Sequence, residues 1–92
     1  MSEFLVVIEV TRPAGTPDSE WAALLEREAA RGREYRSSGV IRRIWRVPGT
    51  RQNIGIWEAV DATELHARIS GLPLFEHMST KVRPLALHYL ET

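Results

Sequence analysis

Residues Glu3 to Thr11 alternate as a strand does, yet both faces of the alternation are apolar. Phe4, Val6, Ile8 and Val10 make one face, while Leu5 and Val7 occupy the other until Glu9 and Thr11. A strand greasy on both sides belongs in the middle of a sheet, with something packed over each face. This one segment therefore demands strand neighbours on both edges, and the remaining chain must provide them.

The remaining chain does so in a recognisable order. Arg12 to Gly15 reads as a turn, and Thr16-Pro17 opens a helix with an N-cap and a proline at the first helical position. Asp18 and Glu20 suit its positive end; Arg31, Arg33 and Arg36 suit its negative end, and Ser37-Ser38-Gly39 stops it. Val40 to Val47 reads as a second strand, with Ile41, Arg43, Trp45 and Val47 on one side and Arg42, Ile44 and Arg46 on the other. Pro48 to Arg51 makes a hairpin loop. Gln52 to Val60 is a third strand, setting Ile54 and Ile56 opposite Asn53, Gly55 and Trp57.

Asp61-Ala-Thr-Glu64 is a capping box that starts a short helix, with Leu65, Ile69 and Leu72 inward and His66 on the flank. Pro73 ends that helix, and Leu74 to Met78 forms a compact apolar connection. The last strand is expected from about Thr80 to Leu90, where Pro84 argues for a sheet edge or a bulge. The order is β-α-β-β-α-β without repeat or linker. It predicts one ferredoxin-like α+β domain over residues 1–92: a four-stranded antiparallel sheet with both helices on one face. Leu5, Val7 and the other outer-face apolar residues then need a cover, which predicts sheet-mediated self-association into a dimer or a larger assembly.

The long helix carries an anomaly. At 100° per residue, Trp21, Leu24, Leu25, Ala29, Gly32 and Tyr35 share a stripe, and Glu28 lands within it. A carboxylate facing a core costs several kcal/mol unless it is paired or protonated. Two readings follow. Glu28 is either half of a structural ion pair with an arginine, or a carboxylate with a raised pKa kept for proton transfer.

Composition removes most other chemistries. Net charge is zero with both signs interspersed, which favours neither nucleic acid nor a membrane surface as a partner. The absence of cysteine excludes disulfides, a thiolate nucleophile and zinc–thiolate sites. No stretch approaches the roughly 20 apolar residues of a membrane span. No basic segment followed by an apolar run opens the chain, so a cytoplasmic location is expected. There is no Gly-rich phosphate loop, no H-E-x-x-H and no G-x-S-x-G. The histidines, His66, His77 and His88, are too scattered for a metal site, and no cofactor is expected. Eleven of the twelve basic residues are arginine, the side chain better suited to gripping carboxylates. Arg51 and Asn53 at the hairpin offer donors to an anion. Trp45 and Arg46 are candidates to line a small-molecule pocket, and His88 is a candidate substrate contact.

The segment Gly39 to His88 resembles the muconolactone isomerase family. The likeness is carried by Ile44-Trp45-Arg46 with Gly49, by Asn53-Ile-Gly-Ile-Trp57, and by Glu64-Leu65-His66. It continues through Ser70-Gly71-Leu72-Pro73-Leu74-Phe75 with Met78, then Pro84-Leu85-Ala86 and His88. Upstream, Arg27-Glu28 falls where that family has an acidic residue on its first helix. Leu25 stands where the family commonly has a lysine, and Arg51 where a hairpin tyrosine is usual.

The resemblance implies a cofactor-free isomerase of small unsaturated lactones in aromatic catabolism, built as a ring-like homo-oligomer, typically a decamer. It leaves two alternatives: dehydrochlorination of a chlorinated muconolactone, or a non-catalytic ligand-binding or assembly module. On the isomerase reading, Glu28 removes a ring proton next to the alkene and returns it two carbons away. Asn53 and Arg51 would stabilise the dienolate formed on the way, and His66 would orient Glu28 or act as a second acid.

Overall fold

The computed structural model describes residues 1–91. Its elements run β1 (Ser2–Val10), α1 (Asp18–Ser38), β2 (Ile41–Arg46), β3 (Gln52–Ala59), α2 (Ala62–Ser70) and β4 (Met78–Leu85). The strands form one sheet in the order β2-β3-β1-β4, and all three pairings are antiparallel. This is the ferredoxin-like α+β arrangement, and the doubly apolar β1 does sit inside the sheet, between β3 and β4.

Register decides what each face carries. Phe4 lies opposite Trp57 and Pro84, Val6 opposite Gly55 and Val82, and Ile8 opposite Asn53 and Thr80. On this inner face Phe4, Val6, Ile8, Trp57 and Ala59 pack into one buried cluster with Tyr35 of α1 and Leu65 and Ile69 of α2. The two helices thus share a face. Tyr35 ties them together: its hydroxyl donates to the Arg68 carbonyl at 2.6 Å, and its ring meets Trp57 edge-on at 5.7 Å. The middle row needs Gly55, because a Cβ there would stand 3.0 Å from the Arg43 carbonyl and 3.3 Å from the Trp57 indole nitrogen.

The helix ends follow local chemistry. Asp61 accepts from the Glu64 N–H at 2.8 Å, while the Glu64 carboxylate accepts from the Val60 N–H at 3.1 Å, a capping box displaced by one residue. Gly39 ends α1 in the left-handed region at φ +84°, a conformation only glycine adopts without strain. At the start of α1 the cap is Pro17. Thr16, expected to cap, instead donates its hydroxyl to the Pro13 carbonyl at 2.9 Å and closes the preceding turn. Ser37 and Ser38 continue the helix, and Gly39 alone stops it.

Two strand expectations are corrected. Pairing along β2 slips between Ile41 and Arg43, so Ile41, opposite Trp57, shares the inner face with Ile44 and Arg46, opposite Gly55 and Asn53. Trp45, opposite Ile54, is thereby turned to the outer face. The last strand begins at Met78 and ends at Leu85, short of the expected Leu90. Leu85 already pairs with Glu3, so the chain beyond has almost no β1 left to bond to. Pro84 does lie on an edge strand, where a residue without an N–H is tolerated.

Candidate active site

α1 covers the inner face unevenly. Its C-terminal end buries Tyr35, at 5% exposure, whereas Leu25 on the same stripe is 44% exposed. The helix therefore stands off the sheet toward its N-terminal half, and a cleft of about 480 Å³ opens beneath it. Trp21, Leu25 and Glu28 form the helix wall, Ile8, Val10 and Asn53 the sheet floor, and Arg12, Arg46, Thr50 and Arg51 the rim. Leu74, held by the turn after Pro73, closes one side.

Glu28 is half-buried in this wall. Its Oε1 accepts the Leu74 N–H at 2.9 Å, and Oε2 has no hydrogen-bond partner among the described residues. Burial pushes the carboxyl above its ordinary value; the Leu74 N–H and the charge of Arg31 pull the other way without cancelling the shift. The ion pairs among the described residues are Arg12–Asp18, Arg31–Glu34 and Arg42–Glu58, so Glu28 belongs to none of them. Opposite it, the Asn53 side-chain oxygen is buried without a partner. That carboxamide can turn to present either an acceptor or its NH2 donors to a guest.

Four of the residues singled out from sequence meet here: Glu28, Arg46, Arg51 and Asn53. Three do not. His66 is exposed on α2, packs edge-on against Phe75 at 6.4 Å, and lines a separate pocket of about 410 Å³ that shares no lining residue with the first. It is therefore not beside Glu28 within one chain. Trp45 is on the outer sheet face with Arg43 stacked 4.9 Å from its ring centroid. His88 lies exposed beyond β4, stacked on Tyr89 at 4.5 Å. Arg12 and Thr50 also line the cleft from loops that carry no periodic signal, and Trp21 and Leu25, which share the apolar stripe and so read as core, line it from the helix. Among the described residues no group of three or more His, Cys, Asp or Glu is placed to hold a metal, and no helix is long and apolar enough to cross a membrane.

Fold and cleft together define an α+β domain with one half-buried carboxylate and three arginines lining the cleft beneath α1. Residues 2–91 match the family described as muconolactone delta-isomerase. The muconolactone delta-isomerase of Cupriavidus pinatubonensis is 34% identical over 85 residues, covering 92% of each chain. That of Rhodococcus opacus is 33% identical over 88 residues, covering 96% of this chain and 95% of the relative. A crystal structure of muconolactone isomerase superposes with a TM-score of 0.88 at 25% identity, over 95% of this chain and 91% of the other. This chain belongs to the muconolactone delta-isomerase family, a family of isomerases.

Proposed function

We propose that this protein moves a ring double bond in a muconolactone-type unsaturated lactone, as a step in the breakdown of aromatic compounds, with Glu28 carrying the proton. One observation carries the reading: Glu28 lines the cleft half-buried, one oxygen fixed by the Leu74 N–H and the other unpartnered. A fixed carboxylate with a free oxygen suits a general base, and burial makes it a stronger one once ionised.

The ionised carboxylate takes the ring proton beside the alkene. The electron pair left behind spreads through the alkene to the lactone carbonyl, giving a dienolate. The protonated Glu28 then returns the proton two carbons away and is regenerated, so no atom is gained or lost. Negative charge grows on the carbonyl oxygen during the first transfer, and Asn53 and Arg51 are the donors assigned to it. Trp21 and Leu25 give the ring an apolar wall and keep water from the base.

Self-association belongs to the same reading. The outer sheet face carries Leu5, Val7, Ile54, Ile56 and Trp45 at its centre, and both signs of charge, Glu3, Glu9, Arg43, Lys81 and Arg83, around them. A face that is apolar within and bipolar at its border can complement a second copy of itself. Light scattering that found only monomer would count heavily against this part.

The deciding assay mixes purified protein with muconolactone and follows the ultraviolet spectrum, for wild type and Glu28→Gln. The variant is expected to stay folded and lose on the order of 10² or more in kcat. Near-normal turnover by Glu28→Gln would make the carboxylate structural. Chloride release from a chlorinated muconolactone measures the sibling elimination, which begins with the same proton abstraction.

A further inference from the structure

Three arginines line the cleft, and their surroundings differ. Arg46 is exposed, and its Nη1 donates to the carbonyls of Arg51 and Gln52 at 2.9 and 3.3 Å. Arg51 lies exposed at the hairpin, where ordering its long side chain on a ligand costs rotamer freedom. Arg12 is already ordered. Its Nη2 donates to the Thr16 carbonyl and to Asp18 Oδ1, both at 2.6 Å. Its guanidinium carbon stands 6.0 Å from the Trp21 ring centroid, and that ring is backed in turn by His77 at 5.9 Å. The side chain is 35% exposed, against 98% for Asp18. Among the described residues its Nε and Nη1 have no acceptor. A guanidinium braced on two sides, with donors to spare, is pre-organised for an anion.

Position adds to this. Trp21 and Glu28 are seven residues apart on the same side of α1, about 10 Å along its axis. The cation whose charge bears on Glu28 is Arg31, whereas Arg12 stands over Trp21, about two helical turns before Glu28. Glu28 therefore keeps its basicity while a positive charge waits elsewhere. A base and an anion anchor separated in this way suit a ring bearing a short acid arm.

We propose that Arg12 is a specificity-determining residue that receives the carboxylate of the substrate's acid arm, laying the ring along Trp21 and Leu25 with its reacting carbons at Glu28. This rests on the lactone reading above and deepens it. The arm's charge does not change during the proton transfer. Arg12 therefore holds ground state and transition state alike, and its loss appears in KM rather than kcat. The anchor also makes the cleft choose lactone acids over neutral lactones.

The test compares wild type, Arg12→Met and Arg12→Lys on muconolactone and on its methyl ester. Calorimetry adds the binding of the saturated lactone acid, which has no double bond to move. Arg12→Met is expected to raise KM for the acid, and Kd for the saturated acid, by about tenfold or more while kcat changes little. Arg12→Lys falls between, and the ester fails to distinguish the three proteins. Unchanged KM and Kd in Arg12→Met overturn the assignment, and so does an equal loss on acid and ester, which marks a structural role. If wild type binds the saturated acid but isomerises nothing, the proposed reaction fails while the binding arm still decides Arg12. If wild type does not bind the acid, both fall.

Discussion

At one end of the inner sheet face, the row Phe4, Trp57 and Ile41 lies sealed beneath Tyr35, Leu65 and Ile69. At the other, the row Ile8, Asn53 and Arg46 looks across an open cleft at Trp21, Leu25 and Glu28. The same sheet and the same helix build both. The difference lies in what the helix stripe offers: an aromatic anchor bonded to α2 at one end, a carboxylate where a core residue would close the gap at the other. Burial is concentrated at the sealed end, while Glu28 Oε2 and Asn53 Oδ1 stand without partners among the described residues at the open end; in the sealed row the Trp57 Nε1 is unpartnered as well.

That contrast can be broken most sharply by truncating each end. Tyr35→Ala removes a buried ring and the bond to the Arg68 carbonyl, and is expected to lower stability by about 3–5 kcal/mol. Leu25→Ala, at an already exposed cleft position, is expected to cost no more than about 1 kcal/mol and to act instead on substrate affinity. Urea unfolding of both variants checks this. Equal losses would mean that the cleft is part of the core. A smaller probe is Gly55→Ala, in the middle row where the two ends meet. Its methyl must displace the Arg43 carbonyl or the Trp57 indole, for an expected loss of about 1–3 kcal/mol.

The same division marks what could be read from sequence. The doubly apolar β1, the capping box at Asp61 and the inward Leu65 and Ile69 were all legible, because burial imposes a period on residues that serve the core. Glu28 was legible as a breach of that period. Simple alternation puts Trp45 on the side of Ile41; the slip between Ile41 and Arg43 leaves no mark in composition, yet one residue of slip turns the rest of the strand over. The end of β4 depended on where β1 begins, which is a matter of register. Arg12 was invisible because turn residues follow no period; its role comes from Asp18 and Trp21, which lie on the helix that follows. His66 shares the pattern of a helix flank, and α2 carries it to the other pocket.

The finest probe of the comparison is the pH dependence of Glu28 itself. Its carboxyl in the folded protein is raised above the ordinary 4.5. Below 4.5 both folded and unfolded chains hold the proton, and the residue adds no pH dependence. As pH climbs from there to the raised value, the unfolded chain releases the proton first, so folding stability falls; beyond it the cost is constant. Glu28→Gln keeps an oxygen for the Leu74 N–H and never ionises. The stability difference between variant and wild type, in which every other titrating group cancels, should therefore be smallest in acid and grow in the variant's favour through that window. Glu28→Leu should likewise be more stable than wild type at neutral pH and inactive, as for a charge kept for its chemistry rather than for the fold. The acid limb of wild-type kcat/KM should fall in the same window, above the ordinary carboxylate value, because the base must be ionised to act. Thermal melts across that range that left Glu28→Gln the less stable protein at neutral pH would move Glu28 to the sealed end of the molecule, as a structural hydrogen-bond partner of the Leu74 turn.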